Sequence, residues 1–240
     1  MQRRTLLKLA GLTSLKALPL HAQQNSPLHL STLLLQDPAT LIAKKVVIEA
    51  YRRLKIGVEI EELPGERSLQ NADYGTTDGE LYRKAGIETQ YHNLVMVPVA
   101  LMNYEIVVFS HSVTFPVNDW ESLRPYTVGF VKSIKIIEEN TKGMRIEVAT
   151  TLQNAFLKMM LGRSDVLVCN RLSGLAMIKD MNLKQVRLLA PALAVFPVYH
   201  YLNKKHAELV PKLTSVLMEM QNNKIINDIQ KSVTSNLGLE

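Results

Sequence analysis

Arg83 follows a short segment, residues 78–82, with the length and make-up of a strand. Open α/β sheets present ligand-binding side chains from the carboxyl ends of their strands. The Arg83 guanidinium can grip a carboxylate through two parallel hydrogen bonds, with Tyr82 beside it; a surface arginine that only caps the strand is the plainer alternative. Gln36 sits in the same way at the end of the first strand of the chain. A second group is the turn Lys132-Ser133-Ile134-Lys135 between a strand and a helix. Free backbone N–H groups, a hydroxyl and two ammonium groups there suit an anion, although a solvated turn with Ser133 as N-cap fits the same residues. Asn170, directly after a strand at 166–169, is the third. Each of these groups stands at a strand end or a helix start, where an α/β protein presents polar side chains to a ligand.

Other chemistry has less support. Asp78 and Glu80 flank Gly79, where a carboxylate can order the loop or pair with Arg67. Asp165 is placed to hold a turn before its strand. His200 and His206 lie six apart, and His92 and His111 have no cysteine or carboxylate at ligand intervals, so no metal site is expected. No phosphate loop or nucleophile elbow is present, and no cofactor is expected. Cys169 is the only cysteine. It excludes an intramolecular disulfide, and its neighbours Val166, Leu167 and Val168 make it a small apolar group of a buried strand.

The elements that must position these groups follow from hydrophobic pattern. Residues 28–35 form an apolar run suited to a buried parallel strand, and Gln36-Asp37-Pro38 ends it. Asp37 is a good N-cap and Pro38 a good first helical residue. A helix over 39–54 then places Ile42, Val46, Ala50, Tyr51 and Leu54 on one stripe, and a strand at 58–62 completes a βαβ unit. A short helix at 66–72 precedes the strand at 78–82. Residues 94–109 read as extended chain interrupted at Pro98. A second alternation begins at 126–131, with strands at 145–149, 166–169 and 186–189 and helices at 134–140, 152–161 and 172–181. Leu152, Phe156, Met159 and Met160 recur at helical spacing and read as core. A strand at 196–202 and helices at 207–220 and 224–233 close the chain. The crossings between the two halves are expected near 111–116 and 190–195, which makes residues 23–111 with 195–240 one lobe and 112–194 the other.

The first 22 residues have a basic start, a modest apolar stretch and a small-residue exit near Ala22, the layout of a cleavable export signal. Gln2-Arg3-Arg4-Thr5-Leu6-Leu7-Lys8 resembles the twin-arginine pattern; an ordinary secretory leader or an amphipathic helix of the fold are the alternatives. Four of the 28 basic residues fall in this stretch and none of the 22 acidic ones, so the remainder carries a balance of only +2. That near neutrality excludes the clustered basic face of a nucleic-acid binder. No run of about 18 apolar residues occurs to cross a membrane. A periplasmic monomer is expected.

Residues 63–99 read LPGERSLQNADYGTTDGELYRKAGIETQYHNLVMVPV. The order of turn, RSL, short helix, DGEL, arginine and YHNLVMVPV resembles the first lobe of the family 3 periplasmic solute-binding proteins, which include polar amino-acid receptors of ABC transporters. GRSDV at 162–166 and YLNKKH at 201–206 extend the likeness over nearly the whole chain after the leader. The resemblance implies an α/β fold of two lobes, each a mostly parallel sheet flanked by helices, joined by two hinge crossings. It implies a non-catalytic protein that captures a solute for an ABC permease or a membrane sensor. Amino-acid receptors of this group usually carry an aspartate where Asn170 stands and an arginine near Gln90. Their absence, with Arg83 as the remaining cation, favours an anionic solute with no obligatory ammonium. A dehydratase-like lyase anchored by Arg83, with Glu80 or Asp78 as general acid or base, is the alternative from another class, and a receptor kept only for signalling is a third.

Overall fold

A computed structural model describes residues 26–34, 37–132 and 134–239. The expected leader, Gln36 and Ser133 lie outside the described residues. The chain opens with strand β1 (Leu28–Leu33), helix α1 (Pro38–Arg53) and strand β2 (Val58–Leu63). Asp37 caps α1 through the amide of Thr40, Pro38 opens the first turn, and the stripe that includes Ile42, Val46, Ala50 and Tyr51 is buried. β1 and β2 pair in parallel, as a right-sized helical crossover between them requires. Helix α2 (Gly65–Tyr74) stops at Gly75, whose φ of 78° supplies a left-handed cap, and β3 (Gly79–Lys84) then pairs in parallel with β1.

β4 (Leu94–Ser110) leads to the second alternation: β5 (Val128–Val131), α3 (Lys135–Asn140), β6 (Ile146–Ala149), α4 (Leu152–Met160), β7 (Val166–Asn170) and α5 (Arg171–Asp180). β8 (Arg187–Asn203) returns, a 3-10 turn follows at Lys204–Leu209, and α6 (Val210–Asn222) and α7 (Ile225–Leu237) finish the chain. The eight strands form one sheet in the order β2-β1-β3-β8-β4-β7-β5-β6.

Two strands unite the halves. β8 pairs with β3 as far as Val198, and β4 takes up β7 from Ile106 onward. In between, Asn103, Tyr104 and Glu105 pair only with Pro197, Phe196 and Val195, so the sheet narrows to a two-stranded waist. This switch on β4 falls several residues before the division drawn from sequence at 111–112, because residues 106–109 continue in register with β7. Pro98 does not interrupt the chain as expected, and Pro191, in the stretch expected to hold the return crossing, does not break it either. Each sits inside a 17-residue strand at a shift of register, where the missing N–H costs no ladder hydrogen bond.

Each half has its own core. Leu30, Val46, Tyr51, Leu81 and Leu101 pack with Leu213, Leu217 and Val233 of α6 and α7 in the first. In the second, β7 buries Val166 and Val168 on one face and Leu167 and Cys169 on the other. Phe156 and Met159 of the predicted stripe belong to that latter face. Tyr104 and Phe196, with ring centroids 5.6 Å apart, pack against both the first core and the second and occupy the waist.

Candidate functional site

Arg83 is not alone on its strand. Glu80, with no exposed surface, receives Arg83 Nε at 2.9 Å and Nη2 at 2.8 Å on one oxygen, and the hydroxyls of Ser31 and Ser68 at 3.2 and 2.5 Å on the other. Residues three apart on a regular strand point to opposite faces. Here the pairing of β3 with β8 shifts register between Glu80 and Arg83, and the irregularity brings both side chains to one side. Burial pushes the Glu80 carboxyl upward, against the Arg83 charge and the serine hydroxyls. Arg83 Nη2 also reaches the carbonyl of Gly65 at 3.4 Å, while its Nη1 has no hydrogen-bond partner among the described residues.

Beside Arg83, the buried Tyr82 hydroxyl shares a hydrogen bond of 2.9 Å with Thr40 in the first turn of α1. The carboxylate that caps this turn, Asp37, takes the Thr40 amide on Oδ1 at 2.7 Å and the Ser173 hydroxyl on Oδ2 at 2.9 Å. Ser173 belongs to α5 of the other half, which Asn170 caps by accepting the Ser173 amide at 3.1 Å. Asn170 also donates to the Glu105 carbonyl at 3.3 Å. The N-termini of α1 and α5 thus face one another with Asp37 between them. Burial raises the Asp37 carboxyl, opposed by its hydrogen bonds to Thr40 and Ser173, and raises the Tyr104 phenol with Asp37 and Tyr82 adding to the effect.

The opposite flank is closed by charge. Lys135, at the start of α3 just after Ile134, lies 3.1 Å from Glu66 at the start of α2. Tyr91 donates to the other Glu66 oxygen at 2.8 Å. The hydrogen bonds from Tyr91 and then Lys135 hold the Glu66 carboxyl below its usual range.

Of the candidates read from sequence, Tyr82 and Asn170 therefore converge on Asp37, and Arg83 and Lys135 converge on the first turn of α2. Ile134 contributes the cap position of α3. Gln36 and Ser133 lie outside the described residues. Asp37, Glu66, Ser173 and Tyr104 complete the arrangement; of these only Asp37 carried a signal, as an N-cap. Both carboxylates of the lyase alternative already have partners, Glu80 in Arg83 and the serine hydroxyls. Glu80 is enclosed, and Asp78 at the far end of β3 is held by Lys205, His206 and the His29 amide, each at 2.7 Å. Five residues of strand put Asp78 roughly 16 Å from Arg83. Among the described residues no group of three histidine, cysteine or carboxylate side chains could hold a metal ion.

A cavity of about 340 Å³ opens between α1 and α5, lined by Asp37, Leu41, Lys44, Glu62, Ala176 and Asp180. A second, of about 410 Å³, lies behind the waist between Met102, Arg171 and Gln230. No helix among the described residues is long and apolar enough to cross a membrane.

No family model matches the sequence, and no curated protein matches it. Solved structures do match in shape. The ligand-binding core of GluR0 in complex with L-glutamate aligns with a TM-score of 0.75 at 9% identity, over 87% of this chain and 98% of that one. A histidine kinase sensor domain with similarity to periplasmic binding proteins aligns with a TM-score of 0.72 at 13% identity, over 87% and 96%. An ancestral arginine-binding protein bound to arginine aligns with a TM-score of 0.70 at 15% identity, over 88% and 99%. The fold is the two-lobed α/β fold of type II periplasmic binding proteins, and the match is to structures of the family 3 kind.

Proposed function

We propose that this chain is a periplasmic solute receptor that closes its lobes about the two-stranded waist on a small polar solute. The observation that carries the reading is the polar chain Tyr82–Thr40–Asp37–Ser173–Asn170, buried between two lobes that each have a complete apolar core. Polar groups buried at a junction that no core requires are the mark of a binding crevice. The open edge of Arg83 meets an anionic group of the solute, with Glu80 fixing the guanidinium from behind. An ABC permease or a membrane-bound sensor reads the closed form.

A thermal-shift screen of the purified chain against amino acids, dicarboxylates, other organic acids and small sulfonates tests this. A solute at a hundred times its dissociation constant stabilises the protein by about 2.7 kcal/mol, a readily measured rise in melting temperature. The shift should vanish in Arg83→Ala and weaken in Arg83→Lys, which keeps the charge on Glu80 but loses the fork. A library in which nothing shifts the wild type would remove the receptor reading.

A further inference from the structure

The cavity of about 410 Å³ behind the waist is bounded by both halves of the chain. Ile42 of α1 and Ile226, Asn227 and Gln230 of α7 form its wall in the first half. Arg171 and Leu172, which open α5, form the wall from the second. Between them run Asn103 and Glu105, from the stretch of β4 that pairs only with β8. This cavity and Arg83 lie on opposite faces of the sheet. β1 turns Leu30 into the core that holds α1 and α7, and the next residue, Ser31, towards Ser68 of α2. Glu80 and Arg83 are on the α2 side, bonded to Ser68 and Gly65. Of the polar chain from Tyr82 to Asn170 only Asn170 lines the cavity, and its amide is already engaged with the Glu105 carbonyl and with Ser173.

The lining sets open hydrogen-bonding groups beside an apolar floor. The carboxamides of Asn103, Gln221 and Asn227 have no hydrogen-bond partner among the described residues. Gln230 donates from Nε2 to the Leu101 carbonyl at 3.1 Å, and its own carbonyl oxygen is open. Arg171 donates from Nε to one Glu105 oxygen at 2.7 Å, which leaves the rest of the guanidinium fork and the second oxygen open. One guanidinium and one carboxylate give the lining no net charge, so a charged ligand drawn to either is repelled by the other. A carboxamide both donates and accepts, as a hydroxyl does. Ile42, Leu101 and Ile226 supply the surface for C–H groups. The volume is within the range of small-molecule sites.

We infer that the cavity behind the waist is a second small-molecule site, separate from the Arg83 side, and that it takes a neutral polyhydroxylated compound such as a monosaccharide or a polyol. Asn103, Gln221, Asn227 and Gln230 bond its hydroxyls, the Glu105–Arg171 pair receives a hydroxyl at each open valence, and its C–H face lies on Ile42 and Ile226. Because the walls belong to different halves, any bend about the waist changes their separation, and an occupant that touches both holds the lobes at one angle. The inference goes beyond the receptor reading and does not rest on it.

Isothermal titration calorimetry of the full chain is the test, with D-glucose, myo-inositol and sorbitol as neutral probes and succinate and putrescine as charged competitors. At least one neutral probe should bind at millimolar concentration or below, and neither charged compound should displace it. Asn227→Ala and the double variant Asn103→Ala/Gln221→Ala should each weaken that binding by about threefold or more, the loss of one or two hydrogen bonds. Their melting temperatures should stay at the wild-type value, since these side chains are exposed and unbonded. Arg83→Ala should leave the affinity as it is. Amide hydrogen exchange gives a readout that needs no variant: the probe should slow exchange at 103–105 and in α7. Failure of all three neutral probes, displacement by a charged one, binding that either cavity variant leaves unchanged, or protection centred on residues 79–84 overturns the inference. None of these outcomes touches the receptor reading, whose own screen is read through Arg83.

Discussion

Glu66 at the start of α2 and Lys135 at the start of α3 face each other at 3.1 Å from the two halves of the chain, with side chains 49% and 58% exposed. An ion pair that wet contributes about 0–1 kcal/mol and is screened by salt. It joins α2 to α3, and under the receptor function proposed above it biases closure about the waist. Lys135→Ala should leave the unfolding free energy within about 1 kcal/mol of wild type. It should also enlarge the solute-free protein as seen by small-angle X-ray scattering. Raising the salt concentration should open the wild type towards the dimensions of the variant and leave the variant unchanged. Equal scattering profiles for both proteins at low salt would show that the pair has no part in closure.

His200 predicts a pH dependence. Its Nδ1 lies 3.0 and 3.1 Å from the carbonyls of Glu80 and Leu81, which only accept, so Nδ1 carries the proton and Nε2 accepts from the Tyr51 hydroxyl at 2.9 Å. Burial lowers the ring from 6.5 to about 4, against the pull of those carbonyls. The unfolded chain therefore binds a proton that the native chain refuses between these values. Stability is full above pH 6.5 and falls as pH drops towards 4, by on the order of 3 kcal/mol. Asp37 and Glu80, raised by burial, act with the opposite sign in part of this window. For Asp78, burial acts upward but bonds from Lys205, His206 and the His29 amide outweigh it and hold the carboxyl at about 2, so its own loss begins only below 3.8. The quantity to read is the difference between wild type and His200→Gln in urea titrations at pH 7, 5.5 and 4.5. That difference should narrow steadily as pH falls, and a constant gap would rule out a neutral buried ring.

What was legible in the sequence was local. Asp37-Pro38 and an apolar stripe announced α1, and alternating strands and helices announced two βα halves. The lengths of β4 and β8 were hidden, because Pro98 and Pro191 read as breaks until the partner strand shows the shifts of register that accommodate them. The Glu80–Arg83 pair was hidden for a related reason. Strand alternation puts these residues on opposite faces, and only the irregularity against β8 reunites them. Asp37 was visible as a cap, but its contact with Ser173 spans 136 positions and no local pattern could carry it.

Gly79, between Asp78 and Glu80, owes its identity to packing. A Cβ there would run into the carbonyl oxygen of Tyr201 and lie 3.1 Å from the Leu202 Cα, both backbone atoms of β8 that cannot rotate away. Gly79→Ala should therefore destabilise by at least the 1–3 kcal/mol or so typical of overpacking. The control is Gly86→Ala, at an exposed turn with nothing within 4 Å and a φ of 94°. That variant meets only backbone strain, about 1–2 kcal/mol. Denaturant midpoints for the two rank steric against conformational cost, and a Gly79 variant as stable as wild type would mean that β3 and β8 can separate locally without penalty.

Glu80 separates structural from catalytic roles for the DGEL segment. Glu80→Gln keeps the shape of the side chain and can still accept from Ser31 or Ser68, but leaves Arg83 without its counter-charge. Breaking a buried pair on one side costs about 3–5 kcal/mol. The lower end applies here because the Arg83 side chain is 19% exposed and water can partly replace the lost partner. The guanidinium, no longer fixed by Glu80, should also lose the orientation in which it is proposed to meet the solute. Glu80→Gln should thus lower both the melting temperature and the affinity for any solute that depends on Arg83, and Glu80→Asp, with its shorter reach, should do the same to a smaller degree. A Glu80→Gln protein with wild-type stability that has lost only turnover of some substrate would reverse this assignment and make Glu80 an acid or base.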